Sequence, residues 1–385
     1  MSETIAQPVR PAVGERWLAQ FKGQQPVYVC LLGFTATALV PGISAAGATP
    51  ADRQYTAVAD AEFLYDGPRP GPTYPLPPLT AGVSPALIAR AVLAAQAIPI
   101  YLFDAGLKHS PSVPHLSLPG QPAACVSSGQ ALPLPVVRQL FQAGLQWGER
   151  LGRRFAGRYL ILSECVVAGT TTAQALLTGL GFSVAGKVNS SHPTCNHAQK
   201  QALVDQGLER WRTDTTDLAD PFTLVAAVGD PMQIAAAGMA LGASHQAGVL
   251  LAGGSQMMAV YALMRAICQR CRQAAVPEWV EAACDRWRLE NVVVGTTRWV
   301  LKDASSDTVG LARLINLPLL NTQLSFATAR YTQLQRFEAG YVKEGVGAGG
   351  CAIAAHLYRG WSLNEVVKAV ENLLENCLML NGSGP

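Results

Sequence analysis

The chain has 385 residues, of which 49% are hydrophobic and only 14% charged, with a net charge of +3. That balance excludes a disordered chain and predicts a large buried core. Basic residues form no long runs and aromatics reach only 7%, so neither nucleic acid nor an anionic membrane is an expected partner.

Residues 1–15 read as a loose leader, and residues 16–385 as one large α/β domain with room for a small helical subdomain. "MSETIAQPVRPAVGERW" holds scattered charges and no apolar core segment, so it is not a signal peptide. "VYVCLLGF" (27–34) predicts the first buried strand. It lies in a charge-free stretch from Gly23 to Ala51, but Gln24, Gln25, Pro26, Thr35, Thr37, Pro41, Gly42 and Ser44 interrupt that stretch. A membrane span needs about 20 mostly apolar residues, so a strand followed by a Gly/Ala-rich loop is the better reading.

"DGPRPGPTYPLPPL" (66–79) is a Pro-rich connector, since proline suits neither a helix interior nor a central strand. Further strands are predicted at "IPIYLFDAG" (98–106), "RYLILSEC" (158–165), "GVLLAGG" (248–254) and "NVVVGTT" (291–297). Helical spacing covers 84–96, 135–152, 171–181, 197–211 and 255–271. Near-continuous apolar strands alternating with helices predict a doubly wound, mostly parallel sheet flanked by helices. The terminal helix "LNEVVKAVENLLENCLML" opens on a capping box of Ser362 and Glu365.

In such a sheet, ligands bind beyond the carboxyl ends of the strands. "SECVVAGTTTAQALL" (163–177) places Glu164 at a strand end and Gly169, Thr170, Thr171 and Thr172 at a helix start. Free N–H groups there suit a phosphate, and ordinary N-capping by threonine is the alternative. In "VGDPMQIAAAG", Asp230 before Pro231 reads as a structural cap. Gly253 and Gly254 end the strand at 248–254.

The nine cysteines are odd in number and sit mostly in apolar runs, where a thiol behaves as a small hydrophobe. A reducing, cytoplasmic location fits them. His192, Cys195 and His197 in "HPTCNH", and Cys268, Cys271 and Cys284, lack the paired four-ligand spacing of a structural zinc site. Neither a metal nor a cofactor is predicted.

"YVKEGVGAGGCAIAA" (341–355) sets one acid, Glu344, before Gly345, Gly347, Gly349 and Gly350. Gly345, Gly347 and Gly350 match G-x-G-x-x-G, but no strong strand precedes them and only a terminal helix follows. An NAD-dependent oxidoreductase is therefore a weak alternative.

Together, "SECVVAGTTTAQALL", "VAAVGDPMQIAAAGMALGASHQAGVLLAGG" and "KEGVGAGGCAIAA" resemble, in order, the nicotinate-nucleotide–dimethylbenzimidazole phosphoribosyltransferases, from about residue 26 to about residue 360. The resemblance implies a divergent branch of that family. It implies transfer of phosphoribose from nicotinate mononucleotide to an aromatic base, in making the lower-ligand nucleotide of cobalamin. Glu344 takes the place of the catalytic base, with Gly345 and Gly347 leaving room for a flat ring. Glu164, Gly169 and Thr170–Thr172 match the turn that holds ribose and phosphate, and Gly253 and Gly254 a strand end lining the site. The family's phosphate-binding lysine aligns near Asn196, with Lys200 one helical turn on as a substitute. The family's Asp-His-Gly after its first strand reads "GFTATALVPG" here, which leaves the acceptor open among dimethylbenzimidazole, another benzimidazole, adenine and a phenol. The resemblance also implies a homodimer. A nucleotide-binding sensor or assembly protein without catalysis is the other reading.

Overall fold

A computed structural model describes residues 4–76, 82–192, 194–273 and 278–380, apart from the side chain of residue 279. Its centre is one eight-stranded sheet. The strands are β1 (Ile5–Val9), β2 (Val27–Gly33), β3 (Ile100–Gly106), β4 (Leu116–Ser117), β5 (Tyr159–Cys165), β6 (Gly248–Ala252), β7 (Val292–Thr296) and β8 (Leu319–Thr322). Their spatial order is β1-β8-β7-β6-β5-β2-β3-β4, and every pair but β1–β8 is parallel. Every residue of β2, β5, β6 and β7 is buried. Strands covered on both faces need this continuous apolar character.

One face carries the helices Leu134–Arg154, Gly169–Gly179, Pro231–Ser244 and Ser255–Gln273 over one apolar core. The other carries Pro11–Phe21, Thr56–Asp66, Ala86–Ala95, Ala348–Arg359 and Leu363–Leu380 over a second. The chain winds outward from β2 through β3 to β4, then returns to β5 and winds the other way to β8. Winding therefore reverses between β2 and β5, and the crevice above their carboxyl ends is where such a sheet binds ligands.

The fold is the doubly wound α/β sheet that the strand–helix alternation predicts, with two local corrections. Residues 5–9 are not a loose leader; they pair antiparallel with β8 and bury Ile5 and Val9. Gln7 and Pro8 hide this strand in the sequence, but proline is tolerated on an edge, and β1 covers the side of β8 that would otherwise stand open. The strand predicted over 248–254 ends at Ala252, which leaves Gly253 and Gly254 in the turn. The Pro-rich connector holds neither helix nor strand from Gly67 to residue 76, and its last three residues lie outside the described ones. Ser362 and Glu365 form the capping box: Ser362 N donates to Glu365 Oε2 at 2.7 Å, and Glu365 N to Ser362 Oγ at 3.3 Å. Among the described residues, no helix is long and apolar enough to cross a membrane.

Candidate active site

Glu344 sits where two chain segments start new helices. Its Oε2 accepts from Thr296 Oγ1 (3.1 Å) and Thr297 N (3.0 Å), at the end of β7. Its Oε1 accepts from Gly345 N (3.1 Å), in the loop before the helix Ala348–Arg359, and from Gly349 N (3.2 Å), in that helix's first turn. Free N–H groups at a helix start favour a carboxylate. Burial nevertheless wins, and lifts its pKa to about 7.

The backbone that presents this acid is strained. Val346 has φ 41 and Gly347 φ 69. A β-branched residue in the left-handed region is a genuine outlier, of the kind that clusters at functional sites. Tyr28, buried in β2, holds it by donating from its hydroxyl to Val346 O at 2.8 Å. A Cβ on Gly347 would meet Ser163 Cβ at 2.7 Å and Ala252 Cβ at 3.0 Å, and one on Gly345 would meet Pro85 Cγ at 3.2 Å. These two glycines therefore seat the loop against the sheet and Pro85. On those sides only glycine fits.

Glu164 ends β5. Its Oε2 accepts from Gln256 Nε2 (2.8 Å) and Val166 N (3.1 Å), while Oε1 faces Gly253. Burial lifts its pKa to about 8, with the Asp230 and Glu344 carboxylates adding to the rise. Asp230 is the structural cap predicted: Oδ1 accepts from Gln233 N, and Gln233 returns a bond to the Asp230 backbone. It also lies near enough to Glu164 to raise its pKa, and Thr172 Oγ1 donates to its Oδ2 at 2.6 Å. The fold thus brings Glu164, Asp230 and Glu344 together at one edge.

The other expected residues are more dispersed in role. Gly169 opens its helix with Gln256 packed where a Cβ would stand, after Ala168 at φ 65. Thr170 is partly exposed, whereas Thr171 and Thr172 are fully buried. The latter two turn into the protein because the helix packs on that side, so they offer no hydroxyl to a ligand in this state. Asn196 donates to Gly42 O, Ile43 O and Gln199 Oε1, knitting the loop after β2 to the helix His197–Asp214. Lys200 is sealed inside, its Nζ donating to Asn189 O and lying 3.9 Å from Cys195 Sγ. Burial lowers its pKa to about 8. Gly253 lies beside Glu164, and Gly254 faces Val300.

Two groups escaped the sequence reading. Gln256 holds Glu164, and only its place just beyond the Gly253–Gly254 turn hinted at that. Lys343, next to Glu344, is buried in an ion pair with Asp303 (2.6 Å) and also donates to Ser190 O and His192 O. Asn189 Nδ2 reaches the same Asp303 oxygen, so the pair ties the Glu344 loop to the segment that holds Lys200. A lysine beside the expected catalytic acid was the available signal. The histidines of "HPTCNH" are occupied by backbone carbonyls, His192 on Gly42 O and His197 on Ser305 O.

A family model described as phosphoribosyltransferase matches residues 86–281. The matched segment carries Glu164 and Gly169–Thr172 and ends before Glu344. The chain is 59% identical to the UPF0284 protein of Acaryochloris marina, over 94% of this chain and 95% of that one. It is 58% identical to the UPF0284 protein of Cyanothece sp., over 94% of each. Among solved structures it is similar to CobT from Thermus thermophilus, with a TM-score of 0.56 and 17% identity over 96% of this chain and 93% of that one. It is also similar to nicotinate-nucleotide-dimethylbenzimidazole phosphoribosyltransferase from the same organism, with a TM-score of 0.53 and 16% identity over 99% and 96%. At such identities the likeness is one of fold.

Proposed function

The chain belongs to the phosphoribosyltransferase family, and from that premise we propose that it moves the phosphoribosyl group of nicotinate mononucleotide onto a ring nitrogen of an aromatic base of the dimethylbenzimidazole kind. Nicotinate is released, and the product is the lower-ligand nucleotide of cobalamin. The observation that carries this reading is that the fold gathers two buried acids, Glu164 at the end of β5 and Glu344 beside the end of β7, at the carboxyl edge of the sheet.

The chemistry follows from those acids. The bond from C1′ to the nicotinate nitrogen breaks, and its electron pair leaves with nicotinate. A lone pair on the incoming ring nitrogen forms the new bond to C1′. Positive charge then builds on the incoming ring until its N–H proton is removed. Glu344, ionised, takes that proton. All four of its acceptor positions are filled in the ligand-free site, so one donor has to turn away. Thr296 is the one whose hydroxyl rotates freely. Glu164, with Oε1 free toward Gly253, is left to hold a ribose hydroxyl.

The test is incubation of the purified protein with nicotinate mononucleotide and dimethylbenzimidazole, read by mass spectrometry for free nicotinate and the new nucleotide. Screening adenine, other benzimidazoles and phenols in parallel identifies the acceptor. No product with any base, and no binding of the nucleotide, overturns the reading. Tight nucleotide binding without turnover replaces it with a nucleotide-binding role. A cytoplasmic homodimer is part of the same proposal, and light scattering on the eluting protein checks the dimer.

A further inference from the structure

Arg53 is a buried cation without an acid. It is 7% exposed, and buried charges in folded proteins are normally paired. Its Nη1 donates to Ala38 O and Val40 O, both at 3.0 Å. Its Nε is sealed from solvent with no acceptor, and among the described residues Nη2 donates to no group and no carboxylate forms an ion pair with it. The neighbouring acids are engaged elsewhere. Asp52 accepts from Thr49, and Asp60 from Ser84 and Cys165. The loop that Arg53 anchors belongs to the charge-free stretch from Gly23 to Ala51, so it supplies no counter-charge. Burial alone lowers the arginine's pKa, with no anion to oppose it.

The place matters as much as the missing partner. Ala38 and Val40 follow β2 and pack in one small apolar cluster with Val167 and Ala168, which follow β5. Arg53 therefore braces the loop on one side of the crevice between β2 and β5. The side of the guanidinium formed by Nε and Nη2 is the fork that takes two oxygens of a carboxylate or phosphate at once. We propose that Arg53 is an oxyanion-binding residue of this crevice, and that its absent counter-ion is an anionic group carried by the ligand. The identity of that ligand rests on the function proposed above, and the anion site itself does not. Three sources share the chemistry: the phosphate of the nucleotide, the carboxylate on its nicotinate ring, in which case mononucleotide and riboside weaken together, and a carboxylate on the acceptor base.

The experiment is calorimetric titration of wild type, Arg53→Lys and Arg53→Met with four probes: inorganic phosphate, nicotinate mononucleotide, nicotinate riboside and benzimidazole-5-carboxylate. Arg53→Lys keeps an amine for the Ala38 and Val40 carbonyls and loses the fork, so it stays readable if Arg53→Met fails to fold. A charged hydrogen-bonded contact is worth about 1.5–3 kcal/mol, so loss of the fork weakens its anion about 10–100-fold. If the nucleotide supplies the phosphate, affinity for phosphate and mononucleotide falls while that for the riboside holds. If the acceptor supplies the anion, only the carboxylated base is weakened. Unchanged binding of every probe by a folded variant overturns the proposal, as does a wild type that binds no oxyanion. Phosphate binding is read without turnover, so failure of the transferase reading leaves the Arg53 result standing, and the converse also holds.

Discussion

The turn after β5 and the turn before the helix Ala348–Arg359 each bury an acid at the same edge of the sheet, and each does so with a non-glycine residue in the left-handed region, Ala168 and Val346. They differ in what surrounds the acid. Glu344 accepts four hydrogen bonds, two from each of two chain segments. Glu164 accepts two, through one oxygen, and has two other carboxylates nearby. Donors favour the ionised form, and like charges disfavour it. Burial raises both, Glu344 to about 7 and Glu164 to about 8. What separates them is their hydrogen bonding: the Glu344 carboxylate is held by four donors, whereas Glu164 keeps one oxygen without a donor.

The largest expected effect separates the two acids directly. Glu344→Gln removes the base, and turnover falls by about two to four orders of magnitude. Glu164→Gln keeps the size of the side chain and one oxygen for the ribose hydroxyl it is proposed to hold, so turnover falls by less than about tenfold, the worth of one hydrogen bond. Equal losses in the two variants break the division of roles. Next is Gly347→Ala. It forces a side chain onto φ 69 and into Ser163 and Ala252, costing about 2–4 kcal/mol in urea unfolding. Gly254→Ala, whose Cβ meets nothing closer than Val300 at 3.8 Å, is the near-neutral control.

A smaller effect sharpens the comparison. Thr296→Val withdraws one donor from Glu344, which raises its pKa further. The rise of kcat/KM with pH then moves upward by about half a unit to one unit, the equivalent of about 1 kcal/mol. A last effect is on ligand-free stability. Asp60 and Asp230 are lifted by burial to about 6, alongside Glu164 and Glu344. For an acid whose folded pKa is raised, the contribution to stability is complete below the unfolded value and is lost as pH rises through the folded one. The melting temperature is therefore higher at pH 5.5 than at pH 8.5. A flat or reversed profile means that the acids are better compensated than their surroundings suggest.

Much of the framework was legible because its signals are local. "RYLILSEC" and "NVVVGTT" are apolar runs bounded by polar residues, and they fold as β5 and β7. β1 was not legible, because an edge strand with Gln7 and Pro8 has the composition of a tail and earns its place only through β8. Glu344 stood out as a lone acid before glycines. Thr171, Thr172, Asn196 and Lys200 carried ligand-like side chains in the sequence, yet the fold turns them inward or onto backbone carbonyls. Side-chain direction at a helix start depends on what packs against it, and no spacing rule encodes that.

By itself the sequence determined the alternation of strands and helices, and hence a doubly wound sheet, the kind that binds ligands at its carboxyl edge. Hydrophobic periodicity suffices for that, since it is written within each segment. Only the tertiary structure decided that Glu164, Asp230 and Glu344 share one desolvated edge, that Lys343 pairs with Asp303, and that Arg53 has no acidic partner among the described residues. Charge pairing and desolvation act through space between segments far apart in the chain, so they exist only once the chain has folded.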